Sequence, residues 1–148
     1  MPATQVTQTN WAQDADHLET QVKACQFMLG TTLSKELAYQ LRHAVMQLDE
    51  ANQMVISYAV TVRNLAKYTI ENVQNNQRVL QTVGNASNDL AKMVEKRQTA
   101  VETLQLLLTL AMPVPEGADT HQADDIRTRR IELAKYVCEH AAQRTVQA

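Results

Sequence analysis

The sequence predicts an all-α protein: an elongated, up-and-down bundle of about four helices with one very long central helix. Composition is the first observation, since 148 residues contain only three glycines and three prolines, and aromatic residues make up 4%. Few helix breakers together with abundant Ala, Leu, Gln and Glu are typical of helical proteins. The second observation is that apolar residues return every three or four positions, which places them on one face of a helix.

The first helix is predicted over about 11–29. Asn10 and Gln13 have the spacing of an N-terminal capping box, and Gly30 is a natural C-terminal stop. Its apolar seam alternates steps of four and three residues: Trp11, Ala15, Leu18, Val22, Cys25 and Leu29. Before it, residues 1–9 are rich in Thr and Gln without periodicity, so we expect a flexible tail followed by a single domain over residues 10–148.

The second helix is predicted over about 34–83, because Ser34 can cap its start and no glycine or proline occurs before Gly84. At 1.5 Å per residue this helix would be roughly 75 Å long, nearly twice the width of a compact domain of this mass. The alternative is a break near residues 74–77, whose amide side chains favour helix poorly. There we expect the least stable part of the helix, with faster amide hydrogen exchange than at residues 55–65.

The seam of this helix is apolar without interruption: Leu37, Leu41, Ala44, Leu48, Ala51, Val55, Tyr58, Val62 and Leu65. On the eighteen-residue repeat of a straight helix the stripe continues to Val73, which leaves Asn72 and Asn76 at its margin. Residues 54–62 are apolar almost all round the helix, so we expect several sides of this segment to be covered.

The third helix is predicted over about 88–112, after a turn at Gly84 and with Ser87 or Asn88 as its cap. Its predicted face is Leu90, Val94, Val101, Leu104, Leu108 and Ala111. Residues 113–117 form the one Pro/Gly-rich linker. The fourth helix is predicted over about 120–146, with a capping box at Asp119 and Gln122. Its predicted face is Ile126, Leu133, Val137 and Ala141.

Polar residues that could support chemistry do not form a complete set. Asp14 and His17 have half of a carboxylate–histidine metal spacing, but di-metal bundles need two Glu-x-x-His pairs, and no glutamate is followed by histidine three residues later. A solvated polar face is the expected role of this pair. Cys25 lies on the apolar seam, and the spacing of Cys138 and His140 puts them on different helical faces. We therefore predict no catalytic residue, no cofactor and no metal.

A basic patch in the fourth helix is the candidate for nucleic-acid contact: Arg127, Arg129 and Arg130. Acidic residues are interleaved with it, no aromatic residues stand beside it to stack on bases, and the formal net charge is −2. A solvated helix face explains the pattern better, so nucleic-acid binding is kept only as an alternative.

The expected function is that of a non-catalytic interaction or assembly subunit, such as a scaffold, adaptor or structural component, acting through exposed helical faces. The expected partners are further copies of the chain, another protein, or both. Substitution of Ile56 and Val60 with glutamate should dissociate the assembly. The candidate interface residues are Met54, Val55, Ile56, Tyr58, Val60, Val62, Leu107 and Leu110.

Three alternatives to this function stay open. A ligand-sensing bundle or enzyme would need an enclosed cavity with converging polar groups such as His43, Asn52 or Tyr58. A nucleic-acid-binding regulator would use the basic patch, and a coat for a lipid or polymer surface would use amphipathic helices. No run of residues is long and apolar enough to span a membrane, and the N-terminus lacks the basic start and apolar stretch of a secretion signal. We expect a cytoplasmic protein, with leaderless secretion or incorporation into a larger particle left open.

Overall fold

A computed structural model describes residues 11–71 and 77–147 of the chain. Over these residues it contains helices and no strand, so the predicted all-α class is confirmed. The helices are α1 (Trp11–Met28), α2 (Lys35–Glu71), α3 (Gln77–Ala111) and α4 (Thr120–Gln147). α2 is the longest of them, with 37 residues, which corresponds to about 55 Å.

The end of α1 and the start of α2 follow the predicted local signals. Gly30 has a φ of 73°, which lets the backbone N–H of Thr31 bond to the carbonyl of Gln26 at 2.9 Å and close the helix. The Ser34 hydroxyl accepts a hydrogen bond from the backbone N–H of Leu37 at 3.2 Å, which satisfies one of the free donors at the start of α2.

The start of α4 also confirms its predicted cap. The backbone N–H of Gln122 donates to the Asp119 carboxylate at 2.8 Å, and the backbone N–H of Asp119 donates to the Gln122 side chain at 3.3 Å. This reciprocal pair is a capping box. The predicted capping box at Asn10 and the predicted tail over residues 1–9 lie outside the described residues.

The prediction of one continuous helix over 34–83 is wrong. α2 ends at Glu71, α3 begins at Gln77, and the two helices pack side by side. Because the five intervening residues span at most about 18 Å, α3 can lie along α2 only by running back antiparallel to it. The reversal falls where the amide-rich break was the alternative; Asn72, Val73 and residues 74–76 themselves lie outside the described residues.

The predicted turn at Gly84 is also wrong. Gly84 lies inside α3, together with Ser87 and Asn88, which were expected to cap a later helix. Its φ is not in the positive region that Gly30 occupies. A glycine inside a helix costs only about 1 kcal/mol relative to alanine, so the packing of the flanking turns against α2 can outweigh it.

The hydrophobic core lies at one end of the hairpin, in a four-helix region that we call the head. The head comprises α1, residues 35–52 of α2, residues 97–112 and α4. Its largest fully buried side chains are Leu18, Val22, Leu41, Val45, Leu48, Leu104, Leu108, Met112 and Val137. The predicted seams of α1 and α4 therefore face the core. The buried side chain of Gln26 also donates to the carbonyl of Ala111 at 2.6 Å, which fastens the end of α1 to the end of α3.

Beyond the head, α2 and α3 continue as a two-helix arm, residues 53–71 and 77–96. No described side chain of the arm is fully buried. Half-buried side chains alternate steps of three and four residues on both helices: Val55, Tyr58, Val62, Leu65 and Thr69 on α2, and Val79, Val83, Ala86, Leu90 and Met93 on α3. This heptad spacing is typical of coiled-coil packing, so the arm is an antiparallel two-stranded coiled coil.

Candidate interaction surface

One side of the α2–α3 hairpin is covered in the head and uncovered in the arm. Residues 42, 49, 56, 63 and 70 are seven apart and form one ridge of α2. In the head, Arg42 forms ion pairs with Asp16 and Glu19 of α1, and Asp49 is 5% exposed. In the arm, Ile56 is 37% exposed and Ile70 is 75% exposed. The same ridge therefore changes from buried to exposed between Asp49 in the head and Ile56 in the arm.

The matching side of α3 shows the same change. Leu108 is fully buried in the head, and Val101 is half-buried. Seven and twenty-one residues before Val101, Val94 is 49% exposed and Leu80 is 58% exposed. The prediction that Val94 faces a core is wrong, because about half of its side chain is exposed.

We call this uncovered side of the arm the open face. Its rim consists of apolar side chains: Ile56, Val60 and Ile70 on α2, and Leu80 and Val94 on α3. We call the small residues between them the floor: Ala59 and Ala66 are half-buried on α2, and Gly84, Ser87 and Ala91 are exposed on α3. Small floor residues let the backbone of another helix approach closely, as at close helix–helix contacts.

Antiparallel packing pairs the rim residues at two levels. Arg97 Nε donates a hydrogen bond to Asn52 Oδ1, which places these two residues opposite one another. Antiparallel helices advance equally in opposite directions, so Ile56 lies within one residue of the level of Val94, and Ile70 lies within one residue of the level of Leu80. We call each of these apolar pairs, Ile56 with Val94 and Ile70 with Leu80, a crossbar of the open face. The two crossbars are separated by fourteen residues of α2, or about 21 Å.

Positive charge lies between these two crossbars. Arg63 lies on the α2 ridge with Ile56 and Ile70, Lys67 lies next to this ridge as Val60 does, and both cations are exposed. Neither forms an ion pair with any described residue. The open face is therefore apolar at its two ends and cationic in its middle.

A polar layer marks the junction of head and arm. Asn52 is 5% exposed and accepts from Arg97, and Gln53 donates to the buried Asp49 at 2.9 Å. A polar pair between two helices beside their apolar seam favours one register, because a shift would break the hydrogen bond between Arg97 and Asn52. One feature of the sequence could have indicated this polar layer. Arg97 continues the three- and four-residue spacing of Leu90 and Met93, which places a charged residue on the apolar side of the helix.

Four polar or aromatic side chains join α1 to α4 in the head. Asp14 is 4% exposed, and its Oδ1 lies 3.1 Å from Nδ1 of His140, within hydrogen-bond distance. The Tyr136 ring lies between His17 and His140, with ring centroids 4.4 Å and 3.9 Å apart. The prediction of a solvated face for Asp14 and His17 is wrong, since α4 covers them. No group of three potential metal ligands occurs within residues 11–71 and 77–147.

The two cysteines occupy different environments. Cys25 is 5% exposed on the α1 seam, in agreement with its predicted apolar role. Cys138 is half-buried, and burial raises the pKa of its thiol. The positive charge of Arg97 opposes this shift and the negative charge of Glu139 adds to it. Because the thiolate is the nucleophile, Cys138 is poorly suited to react.

We expect Cys138 to be alkylated by iodoacetamide more slowly in the native protein than in the urea-unfolded chain, with a reaction midpoint at higher pH. The raised pKa also means that the unfolded thiol releases its proton first. Stability should therefore be unaffected below the ordinary thiol pKa and should fall as pH rises above it. Peptide mass spectrometry separates Cys138 from Cys25. Native alkylation at the unfolded rate near neutral pH would contradict this expectation.

The predicted basic patch is largely paired with acids. Arg127 lies 3.4 Å from Asp124, and Arg129 lies 3.3 Å from Asp125. Arg130 lines a groove of about 440 Å³ between α3 and α4. Local ion pairs of this kind are typical of a solvated helix face, so the structure adds no support for nucleic-acid contact.

The polar residues expected in a ligand cavity do not converge. A groove of about 770 Å³ on the other side of the hairpin from the open face is lined by residues such as Glu50, Ala51 and Lys96. His43, Asn52 and Tyr58 line neither this groove nor the one beside Arg130. His43 instead stacks with Tyr39 at a centroid distance of 6.1 Å.

The candidate interface residues do not form one surface. Ile56 and Val60 lie on the open face. The others are distributed elsewhere: Val55, Tyr58 and Val62 in the arm seam, Met54 beside the groove of about 770 Å³, Leu107 against the core, and Leu110, 58% exposed, on the head. Sequence reasoning missed Ile70, Leu80 and Val94, because their shared face depends on the reversal between α2 and α3.

No protein-family model matches this chain, and neither the curated proteins nor the solved structures include a significant match to it. Within the part of the chain that the structure describes, no helix is long and apolar enough to cross a membrane. The class of this protein is accordingly given by its architecture, a four-helix head that carries a coiled-coil arm.

Proposed function

We propose that this protein is a non-catalytic assembly subunit whose arm binds a helix of a protein partner on its open face. The observation that carries the proposal is the loss of cover along one ridge of α2, from buried Asp49 in the head to 75% exposed Ile70 near the end of α2. In the head, α1 and α4 pack against this side of α2 and α3. The same side is exposed in the arm, where a helix of another chain could pack in the same way.

The dimensions of the open face support a protein partner. The arm is about 28 Å long, and two helices packed side by side are about 19 Å wide. A single helix about 10 Å wide covers about half of this width. A partner that brings further surface beside that helix, and so covers the whole face, would bury about 500 Å² of flat area on each side, or about 1,000 Å² in total, which is the lower range of specific interfaces. Apolar anchors at both ends of the face and small residues between them match the helix-in-groove mode of recognition.

The proposal is tested by placing a photoreactive amino acid at Ser87, on the floor of the open face. We expect irradiation of cells that make this protein to join position 87 covalently to a protein partner. The matched control is the same amino acid at Asn85, two residues away on the other side of α3 and also exposed. Circular dichroism checks that both variants are folded. No adduct at position 87, or equal adducts at both positions, would overturn the proposal.

A further inference from the structure

We infer that the occupant of the open face is an amphipathic helix from a different protein, with acidic residues beside its apolar stripe. This inference rests on the proposed function and specifies the chemistry of the partner. Three observations support it: the small-residue floor, the unpaired cations on the α2 ridge, and the position of α1 and α4 on the same side of the hairpin.

The head shows how a helix occupies this side of the hairpin. α4 packs against both α2 and α3 there, with Ala134 5% exposed and Val137 fully buried. The open face continues that surface beyond the head, with Ala59 and Ala66 at its floor. A partner helix of about fourteen residues, or four turns, would span the distance from the level of Ile56 to the level of Ile70.

The charge of the open face determines what such a helix must carry. Arg63 lies midway between the two apolar crossbars, Lys67 lies one turn closer to Ile70, and neither has an ion-pair partner among the described residues. Covering them with an uncharged helix would remove water from two cations without compensation, which is unfavourable. Glutamate or aspartate side chains along the edge of the partner helix would compensate both charges and steer its approach.

Pairing with a second copy of this chain through the open face is disfavoured in both orientations. With the two arms antiparallel and in full overlap, Arg63 of one copy would meet the same residue of the other, because it lies midway between the crossbars. With the arms parallel, the two heads would lie at the same level, and their α1 and α4 layers would collide before the arms touched. Like charges and overlapping helices both oppose a symmetric pair.

The test uses two fluorescently labelled helical peptides of about 18 residues. Both carry the same leucine and alanine stripe; one has glutamates along its edges and the other has lysines. Fluorescence anisotropy with the full-length protein at low salt should show at least about tenfold tighter binding of the glutamate peptide. The double substitution Arg63→Glu and Lys67→Glu should reverse this preference.

The matched control is Lys92→Glu with Lys96→Glu, which changes the same charges at the same spacing on the other side of the arm. It should leave the preference for the glutamate peptide unchanged. Equal binding of both peptides, binding of neither, or a preference that survives reversal of Arg63 and Lys67 would overturn the inference. If position 87 then cross-links to a second copy of the chain, the proposed function stands and the inference fails.

Discussion

Replacing Leu104 with alanine is expected to lower the free energy of unfolding by about 3–5 kcal/mol. Leu104 is fully buried at the centre of the head. Removing three carbon atoms there loses their transfer free energy and leaves a cavity that the surrounding helices can fill only in part. The change is measured by urea unfolding followed by circular dichroism, at equal protein concentration.

The matched control for this substitution is Leu106→Ala. Leu106 is on the same helix, two residues away, and is 60% exposed. We expect its replacement to change the free energy of unfolding by no more than about 0.5 kcal/mol. Equal losses at Leu104 and Leu106 would show that the core does not lie on the face of α3 that carries Leu104.

Because the buried core lies in the head, exposed side chains of the arm are expected to contribute little to the stability of the protein. Leu80, at the far crossbar, is 58% exposed, so its side chain contributes little burial to the fold. The arm can therefore carry polar substitutions on its open face without unfolding the protein. Such substitutions can therefore change binding without changing folding, so a loss of binding can be attributed to the interface.

The second large effect is expected for Ile56→Glu combined with Val60→Glu. A partner helix would have to bury two carboxylates against apolar surface, which costs several kcal/mol. We expect the affinity for the partner to fall at least about a hundredfold, the loss of one to two strong interface contacts. Helicity should be retained, because the two side chains are 37% and 39% exposed before any partner binds.

The control for this variant is Ser57→Glu with Thr61→Glu. These residues are also four apart and exposed, but they lie on the other side of α2. The yield of the cross-link at Ser87 and the molar mass in solution measure the outcome. If the control weakens binding as much as the Ile56 and Val60 variant, or if neither weakens it, the open face is not the interface.

Helix type, most seam residues and the caps at Ser34 and Asp119 were predictable from the sequence because they depend on local geometry. Side chains three and four residues apart share a helical face whatever the helix packs against, so Leu18, Leu48 and Val137 were identified as seam residues before any fold was known. Gly30 and Ser34 act on the backbone within a few residues, and their roles were also predicted correctly.

Periodicity alone could not locate the reversal between α2 and α3. The sequence places no glycine or proline between Ser34 and Gly84, yet the chain turns back between Glu71 and Gln77 while Gly84 stays helical. The outcome depends on total packing: two long helices bury more apolar surface against each other than one continuous helix could bury alone. The free energy of this burial depends on both helices together, so the residues of one local segment do not reveal it.

The sequence by itself determined an all-helical chain with apolar seams and identified Ile56 and Val60 as candidate interface residues. Only the tertiary structure decided that Val55 and Val62 face α3, and that Ile70, Leu80 and Val94 are exposed on the same side of the hairpin as Ile56. It also brought Asp14 to His140, 126 residues apart. Spacing along a helix fixes which side chains share a face, whereas the docking of whole helices decides which face remains open.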